Sequence, residues 1–231
     1  MPTLIPIPTE QSTALTNLPL AVLALSSAIA LYRIGSHHDP VKTRIWVVTF
    51  VCLALSATLG AVFHGFVLPD ETHQLVWLLL SFCVIITISL FFVGAVYDAR
   101  RFSLPPWLIP VVLGVGLVFF LFSTLVGSAF FLLLLYEAVA ILYALASYAR
   151  LAFKRSLPGA GSMAVGILFA IVAAIVQATG EATGAFRFTW IWQFDHNGVF
   201  HLIQMLSVIG LLAGLCKEFS MRDTKNQSPF T

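Results

Sequence analysis

Seven apolar runs, each about as long as a helix must be to cross a bilayer, divide the chain almost end to end. They cover residues 17–34, 45–67, 74–96, 106–124, 127–149, 161–180 and 199–217. A spanning helix needs about 20 mostly apolar residues, and it satisfies its own backbone polar groups where lipid cannot. Barrel strands are about 9–11 residues long and alternate in polarity, which these runs do not. The expected fold is therefore all-α: one polytopic membrane domain over residues 1–231, built as a seven-transmembrane helical bundle. Composition agrees, since 10% of the residues are charged against about 25% in a soluble domain. So few charges cannot cover a water-soluble globule of this size.

The breaks between runs are short and carry turn residues or charges, as in Ser36-His37-His38-Asp39-Pro40 and Lys154-Arg155-Ser156-Leu157-Pro158-Gly159. The weakest break, at Gly127-Ser128, has no charge and must be a tight turn. Basic residues orient the bundle, because cytoplasmic loops carry an excess of Lys and Arg. Breaks after odd-numbered spans hold Arg33, Lys42, Arg44, Arg100, Arg101, Arg150, Lys154 and Arg155, and the C-terminal tail adds Lys217, Arg222 and Lys225. The other side holds Arg187 alone. That eleven-to-one split of the 12 Lys and Arg requires an odd number of spans. It places the N-terminus outside and the C-terminus in the cytoplasm, in a plasma or inner membrane. The basic residues form no single patch, so nucleic acid is not an expected partner.

The polar run Thr9-Glu10-Gln11-Ser12-Thr13 precedes the first apolar stretch, and no basic leader accompanies it. The first segment therefore reads as a retained helix rather than a cleaved signal peptide. Cys52, Cys83 and Cys216 lie inside apolar runs. They are odd in number and lack metal-knuckle spacing, so they read as small core residues.

In such a chain the informative residues are polar ones in places where charge is costly, about 2.5–3.5 kcal/mol near a bilayer centre. His64 closes the second span, and Asp195-His196-Asn197-Gly198-Val199-Phe200-His201 opens the seventh. The loop between spans two and three adds Asp70, Glu71 and His73. All of these reach one face of the membrane. Three imidazoles around an open position suit a catalytic zinc ion, which brings its bound water to a pKa of about 7. His64, His196 and His201 are the candidate ligands. Asp70, Glu71 and Asp195 are candidate bases or orienting carboxylates. Asn197, four residues before His201, shares its helix face and is placed to meet a metal-bound water or substrate. His196 is five residues from His201, about 140° away on a regular helix, so it joins a shared ion only from an irregular turn. Against this stands a plain structural role: interfacial histidines are commonly hydrogen-bonded packing residues. Glu137, near the middle of span five, is either a packing residue or a group facing a cavity. Gln177 and Glu181, one turn apart on span six, are placed to line the same vestibule. Trp190, Trp192 and Phe194 read as interfacial anchors.

Seven spans, a histidine ending span two in Ala61-Val62-Phe63-His64-Gly65 and the histidine motif opening span seven together resemble the CREST superfamily of membrane hydrolases. That group includes alkaline ceramidases, progestin/adiponectin receptors and GPI-remodelling proteins. The resemblance implies zinc held by one histidine of span two and two of span seven, with hydrolysis of a lipid amide or ester as the activity. This sequence departs from the pattern in three places. Asn197 stands where the span-seven His-x3-His pattern has its first histidine. Gly60 replaces a serine one turn before the span-two histidine. Asp70 and Glu71 precede the expected position of the span-three aspartate.

Two functions thus share one cluster: a zinc-dependent hydrolase with a membrane-lipid substrate, and a non-enzymatic receptor or sensor that binds a ligand or protons there. A transporter is disfavoured by the few intramembrane charges and the lack of an inverted repeat. A retinal protein is disfavoured because span seven has no interior lysine, with Lys217 at its end.

Overall fold

A computed structural model of the chain describes residues 3–126, 129–184, 187–189 and 191–226. The expected turn at Gly127-Ser128 and the expected anchor at Trp190 lie outside the described residues. Seven helices carry the fold: α1 (Pro8–Gly35), α2 (Pro40–Gly65), α3 (Asp70–Ala99), α4 (Leu108–Val126), α5 (Ala129–Phe153), α6 (Ala160–Thr183) and α7 (His196–Asn226). All seven are long and apolar enough to cross a membrane. Helix α1 packs on α2 and α7, α3 joins α2 to α5, and α6 joins α5 to α7, closing a ring. Helix α4 lies against α3 and α5 at the periphery.

Polarity is distributed inside out. On α1 the outward positions are Leu15, Leu18, Val22, Leu25 and Ile29, all exposed. The inward positions include Ser12, Thr13, Thr16 and Asn17, all buried. Water would drive the opposite arrangement. Helix α1 therefore starts at Pro8 rather than at residue 17. Proline suits a first helical turn, whose amides lack intrahelical acceptors in any case, and the polar run that follows faces other helices. Ser12 Oγ donates to Gln193 O at 2.7 Å, and Asn17 Nδ2 donates to Thr13 O at 3.1 Å.

Two short ribbons close the His64 end of the bundle. β1 (Thr3–Leu4) pairs antiparallel with β2 (Phe66–Val67), just beyond His64. β3 (Arg187–Thr189) pairs with β4 (Gln193–Asp195), which leads directly into α7. The chain before α1 is thereby tied to the end of α2, and the entry to α7 is tied to α1.

The opposite end holds a buried ion network. Loop-charge counting puts Lys42 in a solvated break; it is instead fully buried in the first turn of α2. Its ammonium donates to Asp98 Oδ1 at 2.6 Å and to Glu218. Tyr148 donates to Asp98 Oδ2 at 2.7 Å, and Tyr97 donates to Asp39 at 2.9 Å. Asp39 also caps α2, accepting from Lys42 N at 3.0 Å. Phe102, in the left-handed region at φ 69°, lays its ring 5.9 Å from the Lys42 ammonium. Helices α2, α3, α5 and α7 thus meet around one cation, whose desolvation is offset because both ammonium bonds end on carboxylates, one of which, Asp98, is held in turn by Tyr148.

Helices α6 and α7 approach through glycine. A Cβ on Gly210 would sit 2.7 Å from Gly166 Cα, and one on Gly166 would sit 2.8 Å from Ser207 O. Gly159, at φ 81°, places its backbone against the Gly214 carbonyl. Backbones this close leave no room for a side chain, which is why small residues four apart mark helix contacts in apolar surroundings.

Candidate functional site

A cavity of about 640 Å³ opens at the His64 end and reaches into the middle of the bundle. All helices except α4 contribute to its wall. Leu20, Leu53, Ala57, Val84, Ile88 and Leu133 make much of it apolar, while His64, Gln177, Glu181, Asn197 and His201 gather toward one end. From Leu53 to His64 the α2 wall rises about 16 Å at 1.5 Å per residue. A second cavity of about 490 Å³ lies between the ends of α3 and α4. Trp77 lines both and forms part of the partition between them.

The two cavity histidines are oriented by α1. His64 sits on the last turn of α2, and its Nδ1 lies 2.6 Å from Glu10 Oε2. The carboxylate accepts, so Nδ1 carries the proton. His201 Nδ1 lies 3.2 Å from Thr16 Oγ1. A threonine hydroxyl has one proton to donate, and that of Thr16 goes to Thr13 O at 3.0 Å. With the Thr16 proton on Thr13 O, the Thr16 oxygen is free to accept from His201 Nδ1–H, the tautomer in which Nε2 keeps a lone pair. In the neutral form of His64, with Nδ1–H on Glu10, Nε2 is an acceptor.

Asn197 shares the cavity and accepts a 2.7 Å bond from Gln177 Nε2, joining α7 to α6. Glu181 stands at the rim, its side chain 57% exposed. Glu137 reaches the cavity from α5, about 12 Å from the start of that helix.

Other residues singled out in the sequence lie elsewhere. His196 is the first residue of α7, and the five-residue spacing turns its ring away from His201 and onto α6. It packs against Gly180, and its Nε2 lies 3.4 Å from Glu181 Oε2, within ion-pair range but without hydrogen-bond geometry. The structure thus brings His64 and His201 to one cavity and leaves His196 off its wall. Among the described residues, no group of three His, Cys, Asp or Glu is arranged to hold a metal ion. The three-histidine zinc set does not fit this arrangement. Asp70 and Glu71 are exposed in the first turn of α3, where acidic side chains complement the helix dipole. Asp195 caps α7: its Oδ1 accepts from Gly198 N at 3.0 Å and from Thr13 Oγ1 at 3.1 Å. This cap fixes the start of α7, and with it the direction of Asn197 and His201. His73 stacks on Phe63 with ring centroids 4.1 Å apart.

Sequence reasoning missed Glu10, Thr16 and Asn17, the α1 groups that orient or line the site. Their signal was the polar run that continues past Thr13 at four-residue intervals, Ser12-Thr16 and Thr13-Asn17, which is the helical spacing of one inward face.

Comparison with curated proteins and with solved structures finds no match. Residues 12–218 match a family of unknown function, DUF6962, and the chain belongs to that family.

Proposed function

We propose that this chain is a multi-pass membrane protein, N-terminus outside and C-terminus in the cytoplasm, that binds an amphipathic, lipid-like ligand in the cavity at its His64 end. One observation carries the reading: a single cavity joins a long apolar wall to a cluster of oriented polar groups. Ligand cavities are about 300–1,000 Å³, mostly apolar, with a few placed polar groups, and this one lies within that range. The outward-facing apolar belts and the concentration of Lys and Arg at the Lys42 end support the orientation. The neighbouring cavity behind Trp77 supports lateral entry from the bilayer. Ligand binding without turnover is the receptor-like function this geometry supports best.

Narrowing the cavity tests it. Thr87 lines the wall, and its hydroxyl bonds only within its own helix, to Cys83 O. Thr87→Phe is expected to weaken binding of a dodecyl-chain amphiphile to protein in phosphatidylcholine nanodiscs by about tenfold, about 1.4 kcal/mol. The folded state should survive, as read by an unchanged thermal midpoint. Equal affinities in wild type and variant would remove the cavity as the binding site.

A second reading, zinc-dependent hydrolysis of a lipid amide or ester, rests on the Nδ1 contacts. Metal-bound histidines characteristically engage the other ring nitrogen with a carboxylate or a hydrogen-bonding oxygen, as His64 does with Glu10. It requires a third ligand beside His64 and His201. Metal content by mass spectrometry on the detergent-purified protein separates the two readings. Ligand binding alone predicts no stoichiometric zinc in wild type. Near-stoichiometric zinc, lost in both His64→Ala and His201→Ala, would instead establish the metal site and move the proposal to hydrolysis.

A further inference from the structure

The ionisable side chains of the cavity are unbalanced, with two glutamates and, among the described residues, no Lys or Arg, and the imbalance defines the ligand. Each of four lining side chains has one donor engaged within the protein. Asn17 Nδ2 bonds Thr13 O, Ser56 Oγ bonds Leu53 O, Thr87 Oγ1 bonds Cys83 O, and Gln177 Nε2 bonds Asn197 Oδ1. Acceptors are left over. Gln177 Oε1 and Gln204 Oε1 are buried without a hydrogen-bond partner. The acidic lining groups are Glu137 and Glu181, and among the described residues no Lys or Arg lines the cavity.

A phosphate or carboxylate head would find no Lys or Arg among the described lining residues, and unpaired buried acceptors would face it. A ligand rich in N–H donors meets each of these groups. Glu137 is the decisive one. It lies in the interior of an apolar helix, where an ionisable side chain is costly unless it meets a partner or a polar cavity. No contact described for it is a hydrogen bond or an ion pair within the protein, and it lines the cavity. We propose that the ligand is a cationic amphipathic amine, with Glu137 as counter-ion to its ammonium and the apolar wall around its chain. Residual N–H donors would face the spare glutamine oxygens. This deepens the ligand-binding reading and rests on it.

Three probes that share a dodecyl chain isolate the head group: dodecylamine, dodecanol and dodecyl phosphate, each titrated at pH 7 into full-length protein in phosphatidylcholine nanodiscs. Empty nanodiscs provide the partitioning blank. The expected order is amine, then alcohol, then phosphate, with the amine at least about tenfold tighter than the alcohol, about 1.4 kcal/mol. Glu137→Gln, which keeps the shape and removes the charge, should bring the amine to the affinity of the alcohol and leave the alcohol unchanged. Equal affinity of amine and alcohol in wild type overturns the amine proposal alone, and needs no variant to fold. So does a preference that survives Glu137→Gln. Failure of all three probes to bind overturns the ligand-cavity reading and this proposal with it.

Discussion

Lys42→Met is expected to destabilise the fold by about 3–5 kcal/mol, the cost of removing one partner from a buried ion pair and leaving the other uncompensated. Here two carboxylates, Asp98 and Glu218, lose their shared ammonium, and both are at most 2% exposed. At about 2–4 °C per kcal/mol for a chain of this size, the thermal midpoint should fall by about 6–20 °C. Methionine preserves the stem's volume and packing, so the loss reads charge rather than a cavity. The double variant Lys42→Met/Glu218→Gln separates pairing from mere burial. Removing the Glu218 charge should recover part of the loss, giving a coupling energy of the sign expected for groups in contact. A thermal midpoint within about 2 °C of wild type for Lys42→Met would mean that water reaches these carboxylates, and the network would then not be a staple of α2, α3 and α7.

Lys42 also marks where sequence reading stopped short. Counting loop charges assigns a residue by its position in the chain. By that measure a lysine three residues after Asp39 belongs to a solvated break. Whether it turns inward depends on Asp98 and Glu218, which lie 56 and 176 residues away. The polar run before the first span failed in the same way. Hydropathy cannot distinguish a loop from a helix whose polar face meets other helices, so it does not reveal Glu10 and Thr16, which orient the histidines, or Asn17, which lines the cavity. Features fixed by local geometry were legible. Run length separates the seven helices. Four-residue spacing puts Asn197 on the face of His201, and five-residue spacing turns His196 aside. Residues at chain-determined depths, His64 at the end of α2 and His201 near the start of α7, arrive at one cavity because their helices end at the same level. What the spacing does not encode is the partner of each ring: Glu10 for His64, Glu181 for His196 and Thr16 for His201 follow from which helices are neighbours.

Gly210→Leu is the second large effect expected. Gly210 and Gly214 stand four apart on α7, a close-packing signal visible in the sequence as Gly210-Leu211-Leu212-Ala213-Gly214. The structure supplies the partner face: Gly166 on α6 and the backbone of Gly159, which caps the start of that helix. At Gly210 a Cβ would meet Gly166 Cα at 2.7 Å, Gly166 N at 2.9 Å and Ser162 O at 3.2 Å, all backbone atoms. A side chain can rotate away from an intruding methyl group, but a helix backbone yields only by moving the whole helix. Overpacking costs about 1–3 kcal/mol where neighbours can adjust, so this position belongs at the upper end, about 3 kcal/mol or about 6–12 °C in thermal midpoint. Gly114→Leu is the matched control, since a Cβ there meets nothing within 4 Å and helix propensity favours leucine over glycine. The displacement should also reach the site. Gln177 and Asn197 hold the same two helices together at the cavity, so separating α6 from α7 should weaken ligand binding even in the fraction that stays folded. A Gly210→Leu protein as stable as the Gly114→Leu control, with undiminished binding, would show that α6 and α7 are not in backbone contact. The cavity wall they share would then have to be drawn differently.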